Sequence, residues 1–226
     1  MYSGGLHGGR PRLGWASLLA LDGGLCNDGG PGALSMINFY VAVQSAPSGL
    51  GGMAIRTATE AFCKPPWVMG AAHPATHAFL MWDHPDGVVY RLDGKPPRSE
   101  LSVYPNGWSF TWPTAVWRLV NAEMDSSGLT AADRSAMLAR TAALVGIDYS
   151  FLEVVVQSML LPPGFKTLDP LKNCALCTRV VLEMMEGGSD RVRGVAKSMP
   201  DLFPERLGRI LQTATDKHEA WLQRMV

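Results

Sequence analysis

Lys172-Asn173-Cys174-Ala175-Leu176-Cys177-Thr178-Arg179-Val180-Val181-Leu182 brings two thiols to the approach of an apolar helix. Val180, Val181 and Met184 follow Cys177 by three, four and seven residues, the spacing of one helical face turned to a core. Gly187-Gly188 is the stop, so the spacing predicts a helix over Cys177–Glu186. A helix start presents free N–H groups and the positive end of the dipole, both of which favour thiolate over thiol. Asn173 could serve as N-cap and make Cys174 the first helical residue. The apolar spacing favours Cys177, because Thr178 sits where Cys174 would want an apolar fourth neighbour. A thiolate needs a base. The best one is His77, 100 residues earlier, at the mouth of the apolar run Thr76-His77-Ala78-Phe79-Leu80-Met81-Trp82.

The chain has 226 residues, 47% hydrophobic and 18% charged, enough for one core with a short extra arm. Formal net charge is zero, which gives no global electrostatic case for nucleic acid or an anionic membrane and little protection against self-association. A homo-oligomer or an assembly partner fits that balance. Four cysteines (Cys26, Cys63, Cys174, Cys177) are too few for a disulfide-built scaffold of this length. The longest apolar run, Phe151–Leu161, is broken by Glu153 and Gln157 and falls short of the roughly 20 residues of a membrane span.

Residues 1–35 hold 10 of the 24 glycines and read as a flexible leader, more easily disordered than exported, with Met36 as an alternative start. That favours a soluble protein, cytoplasmic or carried in a virion, over a secreted one. Residues 36–226 read as one domain. Ile37–Val43, His77–Trp82 and Val88–Leu92 are predicted strands, the last two joined by a hairpin through Asp86-Gly87. Leu101–Tyr104, Ser109–Trp112 and Val116–Val120 are further short strands, and Trp108, Phe110, Trp112 and Trp117 read as packing residues. Met53–Phe62 is a short helix ended before Pro65-Pro66. After residue 130 the period changes. Thr130 caps a helix with Asp133 three residues on, and that helix carries Met137, Leu138, Leu144 and Val145 and stops at Gly146. Ser150–Leu161 is a second helix, Cys177–Glu186 a third, and Pro204 starts a fourth that runs towards Trp221 and Leu222. Strands followed by helices give α+β, an antiparallel sheet packed against helices.

Six segments resemble the circularly permuted papain-like cysteine hydrolases, the permuted branch of the NlpC-type peptidase superfamily. They are Gly52-Met53-Ala54-Ile55-Arg56 ahead of Thr76-His77-Ala78-Phe79-Leu80; Val88-Val89-Tyr90; Val145-Gly146-Ile147-Asp148-Tyr149; Cys177-Thr178-Arg179-Val180-Val181; and Ser198-Met199-Pro200-Asp201-Leu202. The resemblance spans about residues 36–207, and its most specific element is the order, His strand before Cys helix. It implies a papain-like core with Cys177 as nucleophile and His77 as general base. The family usually places a Glu on the second strand, where this chain has Tyr90. Asp93, three residues on, is the substitute that would orient His77, and Tyr90 is the other candidate through its hydroxyl. A related resemblance, to lecithin retinol acyltransferase-like proteins, rests on Asn173-Cys174 and would make Cys174 the nucleophile.

The functional expectation is a thiol hydrolase or acyl transferase acting on an amide or ester of a small molecule or peptide. Cell-wall peptides are the substrates the resemblance implies, and neither cofactor nor metal is needed. Two rivals use the same residues. The first is a non-catalytic structural or assembly protein on a degenerate papain-like fold, for example in a phage particle. The second is a zinc module built from Cys174-x-x-Cys177 and His73-x-x-x-His77. A redox Cys-x-x-Cys is disfavoured, since no thioredoxin-like βαβ pattern precedes it.

Overall fold

The computed structural model describes residues 37–46, 49–84, 87–149, 177–199 and 202–226. Expectations for the leader, for Ser150–Leu161, for Cys26 and for Cys174 lie outside the described residues. The elements run in the order β1 (Asn38–Gln44), α1 (Gly49–Phe62), β2 (His77–Asp83), β3 (Val89–Asp93), β4 (Glu100–Tyr104), β5 (Thr114–Leu119), α2 (Ala131–Leu144), α3 (Cys177–Met185), α4 (Asp190–Ser198), α5 (Pro204–Asp216) and β6 (Leu222–Arg224). Among the described residues this is a mixed α+β fold of five helices and one antiparallel sheet. The sheet has six strands in the order β4-β3-β2-β1-β5-β6.

Side chains alternate across a strand, so each strand contributes to two faces. One face carries Phe39, Val41, Val43, Leu80, Trp82, Tyr90, Leu92, Trp117 and Leu119 in the main core. Helices cover it: Val180, Val181 and Met184 of α3, Met137 of α2, Val192 and Val195 of α4, and Leu207 and Leu211 of α5. The α3 helix packs on β2 and β3 and touches α2, α4 and α5, which explains why nearly its whole surface is buried. The opposite face holds a smaller cluster of Ala42, Phe79, Met81, Val89 and Val116, against which Tyr40, Tyr104, Trp108 and Phe110 pack. Because both faces of β2 are buried, its sequence reads as an unbroken apolar run rather than an alternating one.

Local chemistry sets the element ends. Thr130 and Asp133 form a reciprocal capping box at the head of α2, as their spacing predicts. Gly146 follows that helix at φ 85°, a left-handed conformation that glycine adopts without a Cβ clash. On α5, Gly208 lets the helix approach β1 closely. A Cβ there would meet Val68 Cγ1 at 2.9 Å and Val43 Cγ2 at 3.0 Å.

Two expectations are corrected. Ser109–Trp112 is not a strand: the Asn106-Gly107 turn and Pro113 bracket a loop. In that loop Trp108 and Phe110 meet edge-to-face at 5.4 Å and cover the smaller cluster. The last helix ends at Asp216 rather than running on to Trp221. His218 takes φ 56°, the chain reverses, and β6 joins the sheet beside β5. The sequence signal was weak because a histidine occupies a position glycine usually marks. Helix α4 went unpredicted, since Val192, Val195 and Ala196 give only a narrow buried stripe in a polar segment.

Candidate functional site

His77 is the first residue of β2, and the chain that delivers it is fixed from two sides. The Thr76 N–H donates to Gln44 O at 2.9 Å, and the Thr76 hydroxyl donates to Ala46 O at 2.8 Å while accepting from Ala46 N at 3.1 Å. Those bonds extend the β1–β2 pairing beyond the strands. On the other side, the buried carboxylate of Glu205 accepts the N–H groups of Ala75 and Val68, each at 2.9 Å. Arg209 completes that cluster, its Nε 3.0 Å from Glu205 Oε1 and its guanidinium bonded to Pro66 O at 3.1 Å. Glu205 lies in the first turn of α5, where the helix dipole favours a negative charge.

From this anchored start the imidazole reaches Asp93 at the end of β3. Asp93 lies opposite Phe79 in the strand register, and Phe79 shares the His77 face two residues on. The His77 Nε2 to Asp93 Oδ1 distance is 2.8 Å, leaving Nδ1 as the ring nitrogen free to serve a thiol. The Asp93 carboxylate is almost wholly buried, whereas the His77 side chain keeps 20% of its surface exposed. Asp93 is also held by Arg91, whose Nε lies 2.7 Å from Oδ2.

The third member is Cys177, the first residue of α3, buried at 3% exposure. The Thr178 hydroxyl lies 3.9 Å from its sulfur, and His77 and the backbone N–H of Ala78 are the other groups that act on it. The charges of the three groups follow from these contacts. Burial pushes the His77 imidazole down, but its bonds to Asp93 and Cys177 and the charge of both outweigh that, and the pKa rises from 6.5 to about 9. Burial pushes the Cys177 thiol up. The His77 hydrogen bond and charge, then the Ala78 N–H and the Thr178 hydroxyl, bring it below the ordinary thiol value. Burial also raises Asp93, and the bond and charge of His77 followed by those of Arg91 hold it below the usual carboxylate range. Each of these contacts favours the charged forms, a buried carboxylate, an imidazolium and a thiolate in a row, over the neutral ones.

Of the residues singled out from sequence, His77, Asp93 and Cys177 meet. Tyr90 does not join them, and its role as an orienter is corrected. It lies three residues from Asp93 on one strand, an odd separation that turns it to the opposite face of the sheet. There it stacks on Trp82 in the main core at 5.5 Å and 11°. Of the zinc rival's residues, His73 lies beside Glu60 (Nδ1 to Oε1 3.5 Å), and His77 is engaged by Asp93 and Cys177. Among the described residues no three of His, Cys, Asp and Glu are grouped as metal ligands.

Two contributors escaped the sequence reading. Arg91 was visible in principle, because a residue two before Asp93 on a strand shares its face. Glu205 had only the weak signal of an acid beside Pro204 at a helix start. No family model matches this chain, and neither does any curated protein or solved structure.

Proposed function

We propose that this protein is a thiol hydrolase or acyl transferase built on a circularly permuted papain-like core. Cys177 is its nucleophile, His77 its general acid and base, and Asp93 the group that orients the imidazole. The observation that carries this reading is the buried pair Asp93–His77, bonded at 2.8 Å and acting on Cys177 at the start of α3, so that the thiol is drawn below its ordinary pKa and the imidazole raised. A structural cysteine in an apolar helix has no need of such a partner, and burial alone would have driven its pKa the other way.

The chemistry follows from the geometry. The Cys177 thiolate attacks an amide or ester carbonyl, and its electron pair forms the carbon–sulfur bond. The carbonyl electrons move to oxygen, and backbone N–H groups at the head of α3 stabilise that oxyanion. Collapse expels the amine or alcohol, which takes the proton from His77 Nδ1, and leaves a thioester. His77, now neutral, deprotonates water, which attacks the thioester and releases the acid. With another hydroxyl or amine in place of water the same step is an acyl transfer. Asp93 keeps the proton on Nε2 during the neutral phase, so that Nδ1 is the nitrogen presented to the thiol and the leaving group. A small peptide or amide is the substrate class that the family resemblance favours.

Iodoacetamide labelling at pH 6 tests the reading. A free thiol of pKa about 8.5 is only about 0.3% ionised at that pH, so rapid labelling identifies an activated one. Trypsin releases Asn173–Arg179 with both Cys174 and Cys177, and fragment ions tell the two apart. Cys177 is expected to label at least about tenfold faster than an ordinary free thiol, and Cys177→Ser to abolish the fast phase. Equal fast labelling in the parent and in Cys177→Ser would sink the proposal. A Cys177 that labels at the ordinary rate instead supports a non-catalytic structural or assembly role on the same fold.

A further inference from the structure

We infer that Arg91 is a positioning residue of this site, hydrogen-bonded to Asp93 Oδ1, in ion-pair contact with Oδ2, and supporting the His77 ring through Phe79. The inference rests on the Cys177–His77–Asp93 reading and extends it to a residue outside the reacting atoms. Arg91 precedes Asp93 by two on β3, so both side chains leave the same face of the sheet. Its Nη2 donates to Asp93 Oδ1 at 3.1 Å and its Nε lies 2.7 Å from Oδ2. Oδ1 therefore accepts from Arg91 and from His77 at once, and the carboxylate cannot rotate without losing a bond. The guanidinium carbon lies 3.6 Å above the centre of the Phe79 ring. That ring meets the His77 ring at 5.8 Å with a 35° tilt. Arg91 thus reaches the imidazole by two routes, one polar and one aromatic.

The charge of Arg91 matters as well as its shape. With the thiolate and imidazolium formed, Arg91, Asp93, His77 and Cys177 sum to zero. Without Arg91 the cluster carries a net negative charge and binds protons more readily, so thiolate formation moves to higher pH. Among the described residues, few other charges face the cluster from the neighbouring elements. From β4, Ser102 lies opposite Arg91, and Glu100, opposite Asp93, is half-exposed and paired with Lys95 at 2.9 Å. From β1, Gln44 lies opposite His77 and donates to Thr114, while the Tyr40 hydroxyl donates to Asp83 at 2.8 Å. From α3 come Cys177 itself and Thr178.

The test is the pH dependence of iodoacetamide labelling at Cys177, read as the midpoint of its acid limb. Arg91→Met is expected to raise that midpoint by about one unit, a roughly tenfold loss of labelling rate below it. Arg91→Lys, which keeps the charge, should restore most of the loss. Should Arg91→Met not fold, Arg91→Gln retains a donor to Asp93 without the charge and should shift the limb in the same direction. A purely structural arginine would lower the melting temperature and leave the midpoint in place. A midpoint within about 0.2 units of the parent in the folded neutral variants overturns the inference. If the parent itself has no acid limb below the free-thiol range, the underlying hydrolase reading fails instead, and the two failures are distinguishable.

Discussion

Two buried carboxylates flank His77, and they do different things. Asp93 on β3 and Glu205 on α5 are both sealed from solvent, both paired with an arginine, and both within reach of the segment that carries the imidazole. Glu205 spends its oxygens on two backbone N–H groups and on Arg209, donors that touch no nucleophile. Asp93 spends Oδ1 on an imidazole that is itself bonded to a thiol. A buried ion pair is therefore a poor marker of chemistry on its own. What distinguishes the two is whether the carboxylate's partner can change protonation state and hand the change to a nucleophile.

The comparison can be broken most severely at Glu205. Glu205→Ala leaves the N–H groups of Val68 and Ala75 without acceptors and should cost about 3 kcal/mol or more of stability, read from the denaturant midpoint. The fraction that remains folded should still label Cys177 at pH 6 within about twofold of the parent, because no charge next to the thiol has changed. If labelling collapses as well, the two carboxylates are one functional unit and the distinction is wrong.

Asp93→Asn comes next. It removes the negative charge that holds the imidazole protonated, so the Cys177 thiol should return towards its free value and labelling at pH 6 should fall about tenfold or more. Retention of the parent rate would mean that the N–H of Ala78 and the head of α3 alone activate the sulfur.

The smallest effect sharpens the picture through linkage. His77 is raised to about 9 in the folded chain, so its stabilising contribution is full below its unfolded value of about 6.5 and is lost as pH rises through about 9. Cys177 is depressed, so its contribution is present above its unfolded value and is lost as pH falls through the folded one. Above the folded Cys177 value and below about 9 the two slopes oppose each other, since there the folded site has moved one proton from sulfur to nitrogen without changing the total. The parent should show a nearly flat stability over that window. In Cys177→Ser the thiol slope is gone and the part of the His77 slope that Asp93 supplies remains, so stability should fall with rising pH by less than about 1.4 kcal/mol per unit. Urea titrations at three pH values read this directly, and parallel curves for parent and variant would remove the ion pair from the account.

Much of the architecture was written along the chain. The apolar runs after residues 37 and 77 and before residue 93 are strands, Thr130 and Asp133 cap a helix, and Pro204 opens one. These are local effects of side-chain periodicity, capping geometry and proline's fixed φ, which a linear reading can capture. His77 and Cys177 also stood out, because each begins an apolar element.

Tertiary structure alone decided which candidate orienter meets the histidine. The register sets Asp93 opposite Phe79, two residues from His77, and Tyr90 opposite Trp82, five away, and parity turns Asp93 to the imidazole and Tyr90 into the core. The pairing of Glu205 with Val68 and Ala75 joins segments 137 and 130 residues apart, which no local pattern encodes. The sequence by itself determined the elements and the reactive residue types, because those depend on neighbours within a turn or two of the chain. Their meeting, and the protonation that results, depends on burial and on charges brought together across the sheet, which exist only once the strands have paired and α3 has closed over them.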